Sequence, residues 1–249
     1  MNLEGNSKDF VRLNDLFQEI EKVEFIYDLA KNCDRILYLN SRYNIPIIEL
    51  AEKGLNVFVV TPSDDMIDLL EKKIDDTDIR GEIELQKAGF ADFHFDEMFS
   101  ISFFLDGFDY ITTDKERIKV LKNINKHLDM GGKLIFDLNL SLMDEDQSFF
   151  QKGSVEKDGK EYKKLVSNRK ITEDEMISVV IYKIFEDGEL LETVKKESEI
   201  GLIKKDRIYE LLEKTGLEVI DEYSDYSFEP FEEEDDRCIL VVRKVGVVD

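Results

Sequence analysis

The stretch Phe99-Ser-Ile-Ser-Phe-Phe104, then Leu105-Asp-Gly-Phe-Asp-Tyr-Ile111, a helical run over 114–128 and Lys133-Leu-Ile-Phe-Asp137 decides the fold. Two short apolar runs without polar alternation flank one helix. Runs of that kind suit strands covered on both faces, the environment of a parallel sheet. A strand, a helix and a second strand make the crossover that parallel pairing needs. Gly131-Gly132 reads as the stop of the helix.

The same alternation extends upstream. Apolar strands are expected at 35–39, 57–60 and 82–87, with helices at 45–53 and 64–74 between them. Gly54 is a suitable C-terminal stop and Ser63 a suitable N-cap. Residues 8–31 read as helical, because Phe10, Leu13, Leu16, Phe17, Ile20, Val23 and Phe25 recur at three- and four-residue steps. Beyond about residue 145 the pattern changes. Asp158-Gly159 and Asp187-Gly188 are hairpin signals. They separate β-type runs at 160–171, 176–185 and 189–203. A helix at 205–214 and strands at 217–223 and 237–243 then resume the α/β pattern. The expected organisation is an N-terminal helical segment (1–32), a Rossmann-like core (33–145 and 204–249) and an antiparallel β insertion (146–203).

Composition narrows the function classes. The chain has 249 residues, 34 Lys and Arg against 57 Asp and Glu, and a net charge of −23. Such a charge opposes binding to nucleic acid or to an anionic membrane surface, both of which are negative. No apolar run approaches the ~20 residues that cross a bilayer, and the start MNLEGNSKDF has no apolar stretch of signal-peptide type. A soluble, cytoplasmic protein is expected. Two cysteines, Cys33 and Cys238, and two histidines, His94 and His127, argue against a disulfide framework or a Cys/His zinc site. Both thiols read as buried, and neither histidine has a neighbour that suggests chemistry. The run 229–236 holds six acids and reads as an exposed loop.

On these residues the chain resembles the class I S-adenosylmethionine (SAM)-dependent methyltransferases, in particular small bacterial ones with an antiparallel insertion. The likeness runs from about residue 33 to 243. It is carried by 105–111, Thr113-Asp-Lys-Glu, Leu128-Asp-Met-Gly-Gly-Lys-Leu-Ile-Phe-Asp137, and Pro62-Ser63-Asp64-Asp65-Met66-Ile67 after the second strand. The resemblance implies a mostly parallel seven-stranded sheet with helices on both faces. It also implies a SAM crevice beyond the carboxyl ends of the strands, where ligands of open α/β sheets bind. The implied cofactor positions are Tyr38, Asn40, Ser41, Arg42, Asn44, Thr61, Pro62, Gly89 and Phe90. Asp106, Asp109 and Tyr110 are the implied acceptor-side candidates for catalysis.

Departures from the family pattern gather in that crevice. The family's first loop is Asp-x-Gly-x-Gly-x-Gly in outline, and the matching positions here are Tyr38, Asn40, Arg42 and Asn44. Glycine there permits positive φ and a close backbone approach to the ligand. Asn tolerates the left-handed region, but Arg42 brings a long side chain. Its readings are a solvent-directed chain, a partner of Asp106 or Asp109, or an anion clamp. Thr61 stands where the family has a ribose-binding acid, and Gly89 where related chains often have an acid near the adenine. Ser198, Gly201 and Ile203 stand where close relatives have a His-x-x-Arg-x-Tyr pattern over the acceptor. A charge-assisted hydrogen bond is worth ~1.5–3 kcal/mol, so losing two acids weakens SAM by roughly a hundredfold or more. The leading reading is a methyltransferase-family protein with an eroded SAM site, acting as a partner subunit, regulator or small-ligand binder. The alternative is an active small-molecule N- or O-methyltransferase with an atypical loop, in which amides of residues 40–44 and the Thr61 hydroxyl hold SAM. Partners are a small molecule or a protein, a second copy of the chain among them.

Overall fold

A computed structural model describes residues 7–17, 20–39, 46–143 and 146–247. The first layer is N-terminal: α1 (Ser7–Asp15) and α2 (Ile20–Ala30). Then come β1 (Arg35–Leu39), α3 (Ile47–Glu52), β2 (Asn56–Thr61), α4 (Asp64–Asp75), β3 (Ile83–Lys87) and β4 (Phe99–Phe104). A 3-10 turn, Phe108–Tyr110, leads to α5 (Asp114–His127) and β5 (Leu128–Asn139). Four strands follow: β6 (Gln147–Lys157), β7 (Lys160–Lys170), β8 (Glu175–Glu186) and β9 (Glu189–Gly201). The chain ends with α6 (Lys205–Lys214), β10 (Leu217–Tyr223) and β11 (Arg237–Lys244).

Seven strands form one sheet in the order β10-β11-β5-β4-β1-β2-β3. Pairings among β3, β2, β1, β4 and β5 are parallel, and β11 runs antiparallel to both of its neighbours. This is the Rossmann-like α/β sandwich expected from the alternation of apolar runs. The order reverses between β1 and β4, so the crevice opens at their carboxyl ends. Strand pleat sorts the core into two layers. Ile36 and Tyr38 face α1–α4 and part of the smaller sheet, whereas Leu37 and Leu39 face α5 and α6.

The inserted strands form a separate antiparallel sheet, β6-β7-β8-β9. Both Asp-Gly turns have positive φ at each residue (52° and 76° at Asp158-Gly159, 49° and 84° at Asp187-Gly188). That is the type I′ geometry that suits the right-handed twist of a hairpin.

Three details correct the sequence reading. The region 8–31 is two helices, with residues 18 and 19 outside the described part. The insertion has a fourth strand, β6, which the sequence did not signal. It is an edge strand with mostly exposed residues, so no alternation marks it, and pairing with β7 makes it a strand. Gly131-Gly132 lies inside β5, because the chain passes from α5 directly into the strand at Leu128, which pairs with Phe99. Among the described residues no helix is long and apolar enough to cross a membrane.

Candidate functional site

The carboxyl ends of β4 and β5 carry a cluster of charged side chains. Asp106, just past β4, has φ of 54°. Asp is one of the few residues that adopt this left-handed conformation readily. The turn sends the Asp106 amide to Asp137 Oδ1 at 2.6 Å and its carboxylate to Lys22 Nζ. Lys22, on α2, is 2% exposed and also lies over the Tyr226 ring at 5.2 Å. Arg237, at the start of β11, stands 3.6 Å from Asp106 Oδ1 and 3.7 Å from Asp137 Oδ2. Burial, then the Asp106 charge, push the Asp137 carboxyl up to about 6, against the pull of Arg237 and Lys22. Burial and the charges of Asp106 and Asp137 also hold the Tyr38 phenol well above its usual range, so it stays neutral.

A cavity of about 540 Å³ lies between these strand ends and the inner face of the small sheet. Asp106, Asp109 and Tyr110, the acceptor-side candidates, all line it, with Asp137 and Arg237. Asp109 Oδ2 accepts the Asn139 amide at 3.2 Å, and Tyr110 packs on the buried cluster of Met176, Ile200 and Leu202. Opposite stand Lys164, Val166 and Asn168 of β7 and Ser178 and Val180 of β8. The volume lies in the usual range for small-molecule sites. Carboxylates, lysines and apolar side chains together can bind polar ligands and orient them.

The cofactor-side candidates lie elsewhere. Asn40, Ser41, Arg42 and Asn44 are outside the described residues. None of Tyr38, Thr61, Pro62, Gly89 and Phe90 lines the cavity. Tyr38 is buried and its ring stacks 6.4 Å from Phe103. Thr61 is 1% exposed, and its Oγ1 accepts the Ser63 amide at 3.3 Å, while Ser63 Oγ caps α4 through the Met66 amide. The Gly89 carbonyl closes a turn by accepting the Asp92 and Phe93 amides at 3.0 and 3.1 Å. A Cβ at Gly89 would lie 3.5 Å from Asp92 Oδ2, so an acid there would face another acid. The Phe90 ring packs 4.7 Å from Phe104.

Gly201 has a steric explanation. A Cβ there would stand 2.5 Å from Arg117 Nη2, 2.6 Å from Thr112 Cα and 2.8 Å from the Ile111 oxygen. The arginine of the family pattern has no room at this position. β9 instead comes down directly onto the chain between β4 and α5.

Sequence reasoning missed Lys22, Asp137, Arg237 and Asn168. For Lys22 a signal existed: it falls three and four residues before Phe25 and Ile26, on the buried side of α2. A lysine on an apolar helix face needs an acid partner, but nothing local names Asp106 as that partner. Asp137 closes the quoted motif, and the end of an apolar run gives no sign that its carboxyl is buried beside Asp106.

With the geometry in hand, the chain can be placed among known structures. It is similar to a SAM-dependent methyltransferase from Clostridium acetobutylicum, at 20% identity over 96% of this chain and 98% of that one, with a TM-score of 0.73. It is similar to the CcbJ methyltransferase from Streptomyces caelestis, at 18% identity over 91% and 89%, with a TM-score of 0.71. A third likeness is to SAM-bound CalS10, an amino pentose methyltransferase from Micromonospora echinaspora, at 10% identity over 98% and 99%, with a TM-score of 0.71. No protein-family model and no curated protein sequence matches the chain. The chain therefore has the fold of the class I SAM-dependent methyltransferases, insertion included.

Proposed function

We propose that this protein keeps the methyltransferase fold as the frame of a small-ligand site between its two sheets and does not hold SAM in the manner of the family. The observation that carries the reading is Lys22. Its ammonium is buried against the carboxylate just beyond β4, at the crest of the crevice, with the Arg237 guanidinium on the same carboxylate. Two cations already meet the carboxylate that a cationic ligand would otherwise find at this strand end. The remaining described positions add to this. Tyr38 supplies no charge, the Thr61 hydroxyl is buried in the α4 cap, and Gly89 offers no side chain. None of these three offers SAM a carboxylate. The chain's own part is binding: the cleft desolvates a ligand and sets its orientation by charges fixed on strand ends.

A second reading is favoured by a different observation. Asp106, Asp109 and Tyr110 come together in one cavity beside the crevice, as an acceptor site would require. In that reading the protein is a small-molecule methyltransferase, and holding methyl donor and acceptor together supplies much of the rate.

Calorimetric titration with SAM and with S-adenosylhomocysteine, at protein concentrations that detect millimolar binding, separates the two. No heat with either ligand is expected. Micromolar binding would overturn the leading reading and favour the second, and Thr61→Asp should then tighten SAM.

A further inference from the structure

The floor of the cleft is ordered from end to end. Strand alternation turns Lys164, Val166 and Asn168 of β7 to the cavity. Val180 and Ser178 of β8 are the cross-strand partners of Val166 and Asn168. Four residue steps along the strand separate Lys164 from Asn168, about 13 Å. The two valines lie between them.

Asn168 is 5% exposed. Its Nδ2 donates to Gln147 Oε1 at 2.8 Å, and its Oδ1 has no hydrogen-bond partner among the described residues. A buried carbonyl oxygen without a donor is costly, so this atom marks where a donor belongs. Asp109 stands at the same end. Met176, two residues from Ser178, shares its apolar cluster with Ile200 and with Tyr110, the neighbour of Asp109. At the other end Lys164 brings a positive charge, its Nζ donating to Asn14 Oδ1 of α1 at 2.8 Å.

We propose that the cleft takes a short zwitterion with an apolar middle, of the size and chemistry of a free-ended di- or tripeptide. Its protonated amine sits between the Asn168 carbonyl and the Asp109 carboxylate. Its carboxylate faces Lys164, and its apolar side chain lies on Val166 and Val180. The proposal rests on the reading of the cleft as a small-ligand site and names the ligand class.

Titration of the full chain with free-ended dileucine, N-acetyl-dileucine and dileucine amide tests it. The free-ended peptide should bind at least about tenfold more tightly than either capped form. Lys164→Met should erase the discrimination against the amide alone. Asn168→Ala should reduce that against the acetyl form alone, because the Asp109 carboxylate remains. The comparison in the unmodified protein stands even where a variant fails to fold. Equal binding of the three peptides, or no saturable heat with the free-ended one, overturns the proposal. Micromolar SAM binding beside discriminated dileucine binding would sink the reading of the crevice and support this one. No binding of either SAM or dileucine would overturn this one alone.

Discussion

Asp137 shows how a single residue departs from its ordinary chemistry. Its carboxyl is buried, faces Asp106, and is held up to about 6 despite Arg237 and Lys22. A carboxyl whose folded pKa exceeds its unfolded one binds protons more tightly when folded. Its stabilising contribution is complete below the unfolded value and is lost as pH rises through the folded one. Asp137→Asn removes that loss. The variant's stability relative to the unmodified protein should grow by about 2–3 kcal/mol between pH 4 and pH 7. Urea denaturation of both proteins at stepped pH measures it, and a flat or shrinking difference would be the contrary result. At this scale the site was partly legible. Asp106, Asp109 and Tyr110 follow β4 in one short run, so a strand-end argument finds them together. Lys22 and Arg237 lie 84 residues before and 131 after Asp106, as the numbering gives (106 − 22 and 237 − 106). No local pattern ties them to it.

At the level of elements, the seating of β9 on the chain after β4 governs the shape of the cleft. Gly201→Ala puts a methyl group against Thr112 Cα and the Ile111 oxygen, which are backbone atoms that cannot swing away. A cost of roughly 1–3 kcal/mol is expected, the usual range for overpacking, read as a lower midpoint in urea. Gly89→Ala is the control. Its Cβ meets only Asp92 Oδ2, at 3.5 Å, so a change within about 0.5 kcal/mol is expected. Equal effects would mean that β9 yields freely. The strands β7, β8 and β9, set off by Asp158-Gly159 and Asp187-Gly188, were readable because the turn chemistry is local. β6 was not, because an exposed edge strand has no buried face to impose alternation.

For the whole molecule, a net charge of −23 makes self-repulsion a general opponent of compactness. Screening acts within about 10 Å at 0.1 M salt. The melting temperature should therefore rise by several degrees between low salt and 0.3 M, alike in NaCl and KCl; a fall would mean that the surface ion pairs outweigh the repulsion. The sequence by itself determined the α/β architecture, the two Asp-Gly hairpins and the acids beyond β4. Apolar periodicity, turn residues and strand-end position are properties of contiguous segments, and one chain suffices to read them. Only the tertiary structure decided what surrounds those acids. It buried Lys22 and placed Arg237 on Asp106, left no room for a side chain at Gly201, and laid Lys164 and Asn168 at two ends of one floor. Burial and charge pairing depend on which distant segments share a dielectric environment, and that is settled when the two sheets pack, not along the chain.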